Sequence, residues 1–293
     1  MRRRAIVLIS TLAVVAVGVT LTVVPQRTSS TTTTVAAVAA TPTQQQAALS
    51  ATLAYRNLIG TATQRFASAV RQLQIDATRG DIASSRDDYF RAQTAYDIFR
   101  SHVSAGSTTA ISLDGRIKDF PKWLPVTGLH AIERDLFGGH HESLVSDATW
   151  LTGQAIIVEF SLTRLTQTPS QMVTRTSQNL AWAIDEAISR SSEIYCQHSL
   201  ADVVAVTRAA GQVLQALTPL GSHVDAAATA VAAQRFHELT SVLNDLGEPA
   251  ITTDASITRA QWRRASVAID AFNSALSNLG GSLWGFGTGR TYA

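Results

Sequence analysis

The sequence predicts an all-α fold, and three observations predict it. From Ala47 onward, apolar residues recur with the period of a helix. No segment shows the clean period-two alternation of a half-buried strand. Glycine and proline cut the chain into helix-length pieces at Gly80, Gly138-Gly139, Pro169, Pro219 with Gly221, and Gly247 with Pro249. The pattern reads as six or seven long helices and a shorter one. They form a bundle divisible near residue 165 into two four-helix halves, after an N-terminal transmembrane or signal helix.

The leader comes first. Met1-Arg2-Arg3-Arg4 precedes an almost unbroken run of Ala, Ile, Val, Leu and Thr over residues 5–24. About 20 apolar residues suffice to cross a bilayer as a helix. The arginines keep residues 1–4 in the cytoplasm. Two readings stay open: an uncleaved single-pass anchor in the cell membrane, or a secretory signal cut near Ala37-Val38-Ala39. Either places the folded domain on the extracytoplasmic side. Residues 25–46 are rich in Thr, Ala and Gln, and read as a flexible linker.

The folded domain is predicted over residues 47–280. Leu53, Leu58, Ile59, Phe66, Val70 and Leu73 stripe a first helix running to about Ala77. Gly80 ends it and Asp81 caps a second, carrying Ile82, Tyr89, Ala92, Tyr96 and Phe99. Residues 103–127 are a proline-bordered excursion, long for a bundle connection and therefore a candidate for function. A short helix runs from Thr127 to Phe137, and a long one from Glu142 to Leu165. The next opens at Pro169. Later helices span about 200–217, 223–245 and 256–279. Residues 281–293 form a Gly-rich tail on which Trp284 and Phe286 are placed to dock.

Composition narrows the function. Apolar residues are 45% and charged residues 16%, which excludes a disordered chain. The net charge of +2 comes from the leader, whose four arginines meet no acidic residue before position 47. The folded part has no basic stripe, so nucleic acid is excluded as a partner. The single cysteine, Cys196, excludes an internal disulfide and a Cys-rich zinc site.

One motif stands out for chemistry, Gly128-Leu129-His130-Ala131-Ile132-Glu133. His130 and Glu133 are one turn apart and share a helix face. Imidazole and carboxylate so spaced suit a divalent metal, or simply bond to each other in a core. His140 and His141 follow a glycine pair. His198 and Asp202 form a second same-face pair beside Cys196. No nucleotide-binding glycine motif and no HExxH motif is present.

At Gly128–Glu133, and in its continuation to Gly138, the chain resembles the imelysin-like peptidase family, and within it the EfeO-type iron-uptake proteins. The likeness extends over roughly residues 50–280. It implies an extracytoplasmic imelysin-like helical domain of two four-helix bundles that binds a metal ion, iron or zinc, in or beside iron acquisition. An iron-uptake permease or another envelope protein is the implied partner, besides the membrane itself. His130 and Glu133 are the implied ligands. Asp97, Gln93 and His198 come next, with Tyr96 or Trp123 lining the pocket. Phe90 and Gln93 stand where the family carries carboxylates. The alternative is a metal-free binding or scaffold module. A metallopeptidase is a third reading, though one His and one Glu fall short of the usual three zinc ligands.

Overall fold

Thr41 starts the first helix. Its hydroxyl accepts the Gln44 backbone N–H, the Gln44 side chain accepts the Thr41 N–H, and Pro42 fills the first helical position. These signals begin α1 (Pro42–Arg79) inside the stretch expected to be linker. Its 38 residues span roughly 57 Å at 1.5 Å per residue. Gly80 closes it in the left-handed conformation at φ 76°, and Asp81 caps α2 (Ile82–Phe99) by accepting the Ser84 N–H at 3.1 Å.

The computed structural model describes residues 40–103, 107–115, 126–189, 199–247 and 256–286. Within them, α2 runs into a 3₁₀ turn at Arg100–His102, followed by α3 (Thr108–Asp114) and α4 (Leu129–Phe137). Then come α5 (Leu144–Leu162), α6 (Pro169–Ser189), α7 (Ser199–Val224), α8 (Ala226–Asn244) and α9 (Arg259–Ser282). Every regular element among the described residues is helical.

The last four helices close a ring: α6 packs on α7 and α9, and α8 packs on both α7 and α9. The first half differs from the expected four-helix bundle. Among the described residues its long helices are α1, α2 and α5, and the short α3 and α4 lie against α5, with α4 also against α2. α1 and α2 both pack on α7, joining the halves over one continuous core. Phe66, Tyr96 and Phe99 meet at its centre, with ring centroids 5.3–5.9 Å apart.

Several expectations need correction. The fold was expected to follow a transmembrane or signal helix at residues 5–24. That segment lies outside the described residues, and among the described residues no helix is long and apolar enough to cross a membrane. The single-pass placement and the membrane partner rested on that helix and are not carried further. Pro219 was expected to end a helix, yet α7 continues to Val224. Leu217 and Leu220 beside it are fully buried, and their packing holds the last turn despite the missing N–H. Leu53, expected on the buried stripe of α1, is exposed, as are Ile156 and Phe160 on α5. In the tail, Phe286 packs on the core while Trp284 is exposed.

Candidate functional site

The described part of the long excursion builds the site. Ser107 caps α3 by accepting the Ala110 N–H at 3.1 Å, and α3 ends on Asp114. Gly128 then opens α4 at φ 86°. A Cβ there would lie 2.5 Å from the Leu113 carbonyl oxygen. Only glycine allows both the positive φ and this approach. The contact sets the start of α4 against the end of α3, and so sets His130 beside Asp114.

His130 has a carboxylate on each ring nitrogen. Nδ1 lies 3.4 Å from Glu133 Oε2, and Nε2 lies 3.3 Å from Asp114 Oδ1. The carboxylates extend into a buried chain of charge. Asp114 Oδ2 pairs with Arg100, and Arg100 Nη1 lies 3.7 Å from Asp97 Oδ1. Gln93 Nε2 donates to both Asp97 oxygens at 3.3 and 3.4 Å. Asp97, Asp114, Glu133 and Gln93 are all buried. The Arg100 guanidinium stacks on Trp182, 3.8 Å from the ring centroid, and also faces Tyr96.

The electrostatics follow from this arrangement. Burial lowers the His130 pKa, but the charges of Asp114 and Glu133 outweigh it, and the imidazole sits above its ordinary value. The ring is therefore biased toward imidazolium between two carboxylates. Burial, followed by the charge of Asp114, pushes the Tyr96 phenol well up, so it stays neutral. Asp114 Oδ1 and His130 Nε2 are both buried, and the alignment between them does not make a hydrogen bond.

Of the residues singled out in the sequence, Gln93, Asp97, His130 and Glu133 thus belong to one network, though Glu133 and Asp114 address opposite nitrogens of the imidazole. Tyr96 borders it. His198 lies outside the described residues, as do Cys196 and Trp123. Asp202 is buried and accepts the Thr94 hydroxyl at 3.2 Å. His140 and His141 are exposed, with His140 4.0 Å from Glu142. Arg100 and Asp114 were missed. Neither shares a helix with His130, so no same-helix spacing could reveal them. The cap at Ser107 was the one signal that the excursion contains a helix.

A metal ion fits this site in part. Two buried donors, an imidazole nitrogen and a carboxylate oxygen, lie 3.3 Å apart. Adjacent ligands of a tetrahedral ion bonded at about 2.0–2.1 Å are separated by about 3.3–3.4 Å. Glu133 on the other nitrogen is placed as the carboxylate that orients a metal-bound histidine. Among the described residues, no group of three His, Cys, Asp or Glu side chains is arranged to hold a metal by itself.

Compared with known proteins, the chain matches no protein-family model and no curated protein sequence.

Proposed function

We propose that this protein binds a metal ion, iron or zinc, through His130 Nε2 and Asp114, and that it serves iron handling. The observation that carries the reading is the facing pair of buried donors, His130 Nε2 and Asp114 Oδ1, at tetrahedral-edge spacing with no hydrogen bond between them. The link to iron rests on the resemblance at Gly128–Glu133. In this reading Glu133 accepts the Nδ1 proton of His130 and fixes the tautomer, and is not itself a ligand. Arg100 holds the second oxygen of Asp114 and so aims the first. Two protein donors leave further coordination positions to water or to donor atoms of a bound molecule. A bound ion supplies charge at this point and a place for such donors. The metal competes with the His130 proton, so affinity falls as the pH is lowered.

The test is calorimetry with Fe, Zn, Mn and Cu on the metal-stripped protein and three variants. His130→Ala and Asp114→Asn are expected to abolish stoichiometric binding. Glu133→Gln is expected to weaken it about 10–100-fold, the range for a partner behind a ligand. Binding unchanged in His130→Ala sinks the reading.

A second reading has its own observation. Arg100 already pairs with both Asp97 and Asp114, so the network carries a cation without any metal. On this reading the chain of charges fixes how α2, α3 and α4 pack in a metal-free binding module. No binding of any of the four metals by the folded protein selects it.

A further inference from the structure

A cavity of about 560 Å³ opens beside the His130 network, and its lining differs in character from the network itself. Two guanidinium groups reach it, Arg100 from the 3₁₀ turn and Arg175 from α6. Asp114 is the one carboxylate among its described lining residues. Arg100 already faces both Asp114 and Asp97, so Arg175 is the cation that the wall offers to a further anion. Among the described residues no carboxylate pairs with Arg175; its Nη1 donates instead to the Ser101 carbonyl at 2.7 Å and to Gln178 Oε1 at 3.3 Å. Arg175 is half-buried, so its charge is only partly screened by water.

Two polar groups in the lining, the Ser101 hydroxyl and the Trp182 indole nitrogen, are buried without a hydrogen bond among the described residues. Buried polar groups are nearly always satisfied, and exceptions cluster where a ligand or water completes them. Part of the wall is apolar, made by Val103, Ala110, Ile111 and the Trp182 ring, while Gln178 and Asn179 add polar groups beside Arg175. The turn that carries Arg100 and Ser101 is held firmly. Asn179 accepts the Ser101 N–H at 2.9 Å and donates to the Ile98 carbonyl at 2.7 Å. The cations therefore stand in a preformed frame.

We propose that this cavity is a binding site for a small organic carboxylate, held by Arg175 and Arg100 with its carbon skeleton against Trp182 and Ile111. A guanidinium presents paired N–H donors that match the two oxygens of a carboxylate. Arg175, which donates only to neutral acceptors among the described residues, suits a monocarboxylate or one end of a dicarboxylate. The apolar wall gives an organic anion an advantage that inorganic phosphate lacks. The site stands without the metal reading, although Asp114 borders both.

The experiment is calorimetry on the full chain stripped of metal with a chelator and then freed of it, so that success or failure is independent of His130 coordination. The probes are acetate, succinate, citrate and benzoate, with inorganic phosphate beside them. At least one carboxylate is expected to bind with a dissociation constant below about 1 mM, and phosphate at least tenfold more weakly. Arg175→Gln is expected to weaken carboxylate binding more than tenfold. Because Arg175 also ties α6 to the Ser101 turn, a second variant guards the result. Ala110→Glu puts a carboxylate in the wall from the first turn of α3, where a negative charge favours the helix. It is expected to weaken binding to a similar degree without lowering Tm. Arg235→Gln, on the exposed face of α8, is expected to leave binding unchanged. Saturable binding by none of the carboxylates overturns the proposal. So does phosphate binding as tightly as they do, or affinity unmoved in both Arg175→Gln and Ala110→Glu.

Discussion

At the residue scale, the site is a chain of charges whose members lean on one another. The pair His130 and Glu133 was legible because one helical turn separates them. Asp97 and Gln93 were legible only through the resemblance, and they reach His130 through Arg100 and Asp114, which were not. Those two enter from separate short elements, and a contact between elements leaves no period in the sequence. Asp114 is the member with the sharpest test. Its charge is the largest influence raising the His130 pKa, against burial and Arg100, which both lower it. Asp114→Asn removes the charge and keeps the shape. Nuclear magnetic resonance titration of the His130 ring is expected to show its pKa falling from above the ordinary histidine value toward or below it. The variant also leaves Arg100 short of a buried partner, which costs about 2–4 kcal/mol of stability. A His130 titration unmoved by the substitution contradicts the assigned contact.

At the element scale, most helix ends were legible because caps are local chemistry. Gly80-Asp81 and Pro169 mark boundaries that the structure keeps. The exposed face of α5 was not legible. Trp150, Ile156, Ile157 and Phe160 are all exposed while Leu144, Leu151, Ala155 and Val158 are buried. A helix apolar on every side carries no stripe from which to read its buried face. α3 was hidden because its seven residues are too few to show a period. Yet the α3–α4 joint is what the site depends on. Gly128 brings the two helices together at a φ of 86°, with the Leu113 carbonyl where a side chain would stand. Gly128→Ala meets both the backbone strain and the clash, so α4 must shift. The expected loss is about 2–4 kcal/mol in chemical denaturation. Gly60→Ala serves as control. That glycine lies inside α1 with open space around its Cα, and the change is expected to stabilise by about 0.5–1 kcal/mol. Equal effects at both positions would show that the α3–α4 approach is not constrained.

At the scale of the whole molecule, the all-helical character and the break between α5 and α6 were legible from period and breakers. How the halves join was not, since α1 and α2 meet α7 through contacts far apart in the chain. The 3₁₀ turn after α2 also packs on α6, and this contact links stability to pH. His102 follows α2, and its Nε2 is 2.8 Å from the hydroxyl of Tyr55 on α1. Burial, and then the charge of Arg175, hold its pKa down to about 4, against 6.5 for a free imidazole. A depressed pKa means that the folded state favours the neutral ring. The resulting stability is complete above pH 6.5 and is lost as the pH falls toward 4. At about 1.4 kcal/mol per tenfold change in proton affinity, the loss reaches up to ~3 kcal/mol. His102→Gln removes the titrating group and keeps a polar side chain near Tyr55. Denaturation at a series of pH values is expected to show the variant less stable than the natural chain at pH 7. The gap closes as the pH falls to 4, because the natural chain alone pays the cost of charging a buried ring. A gap constant across that range would mean that His102 titrates alike in the folded and unfolded states, and would take this linkage out of the fold.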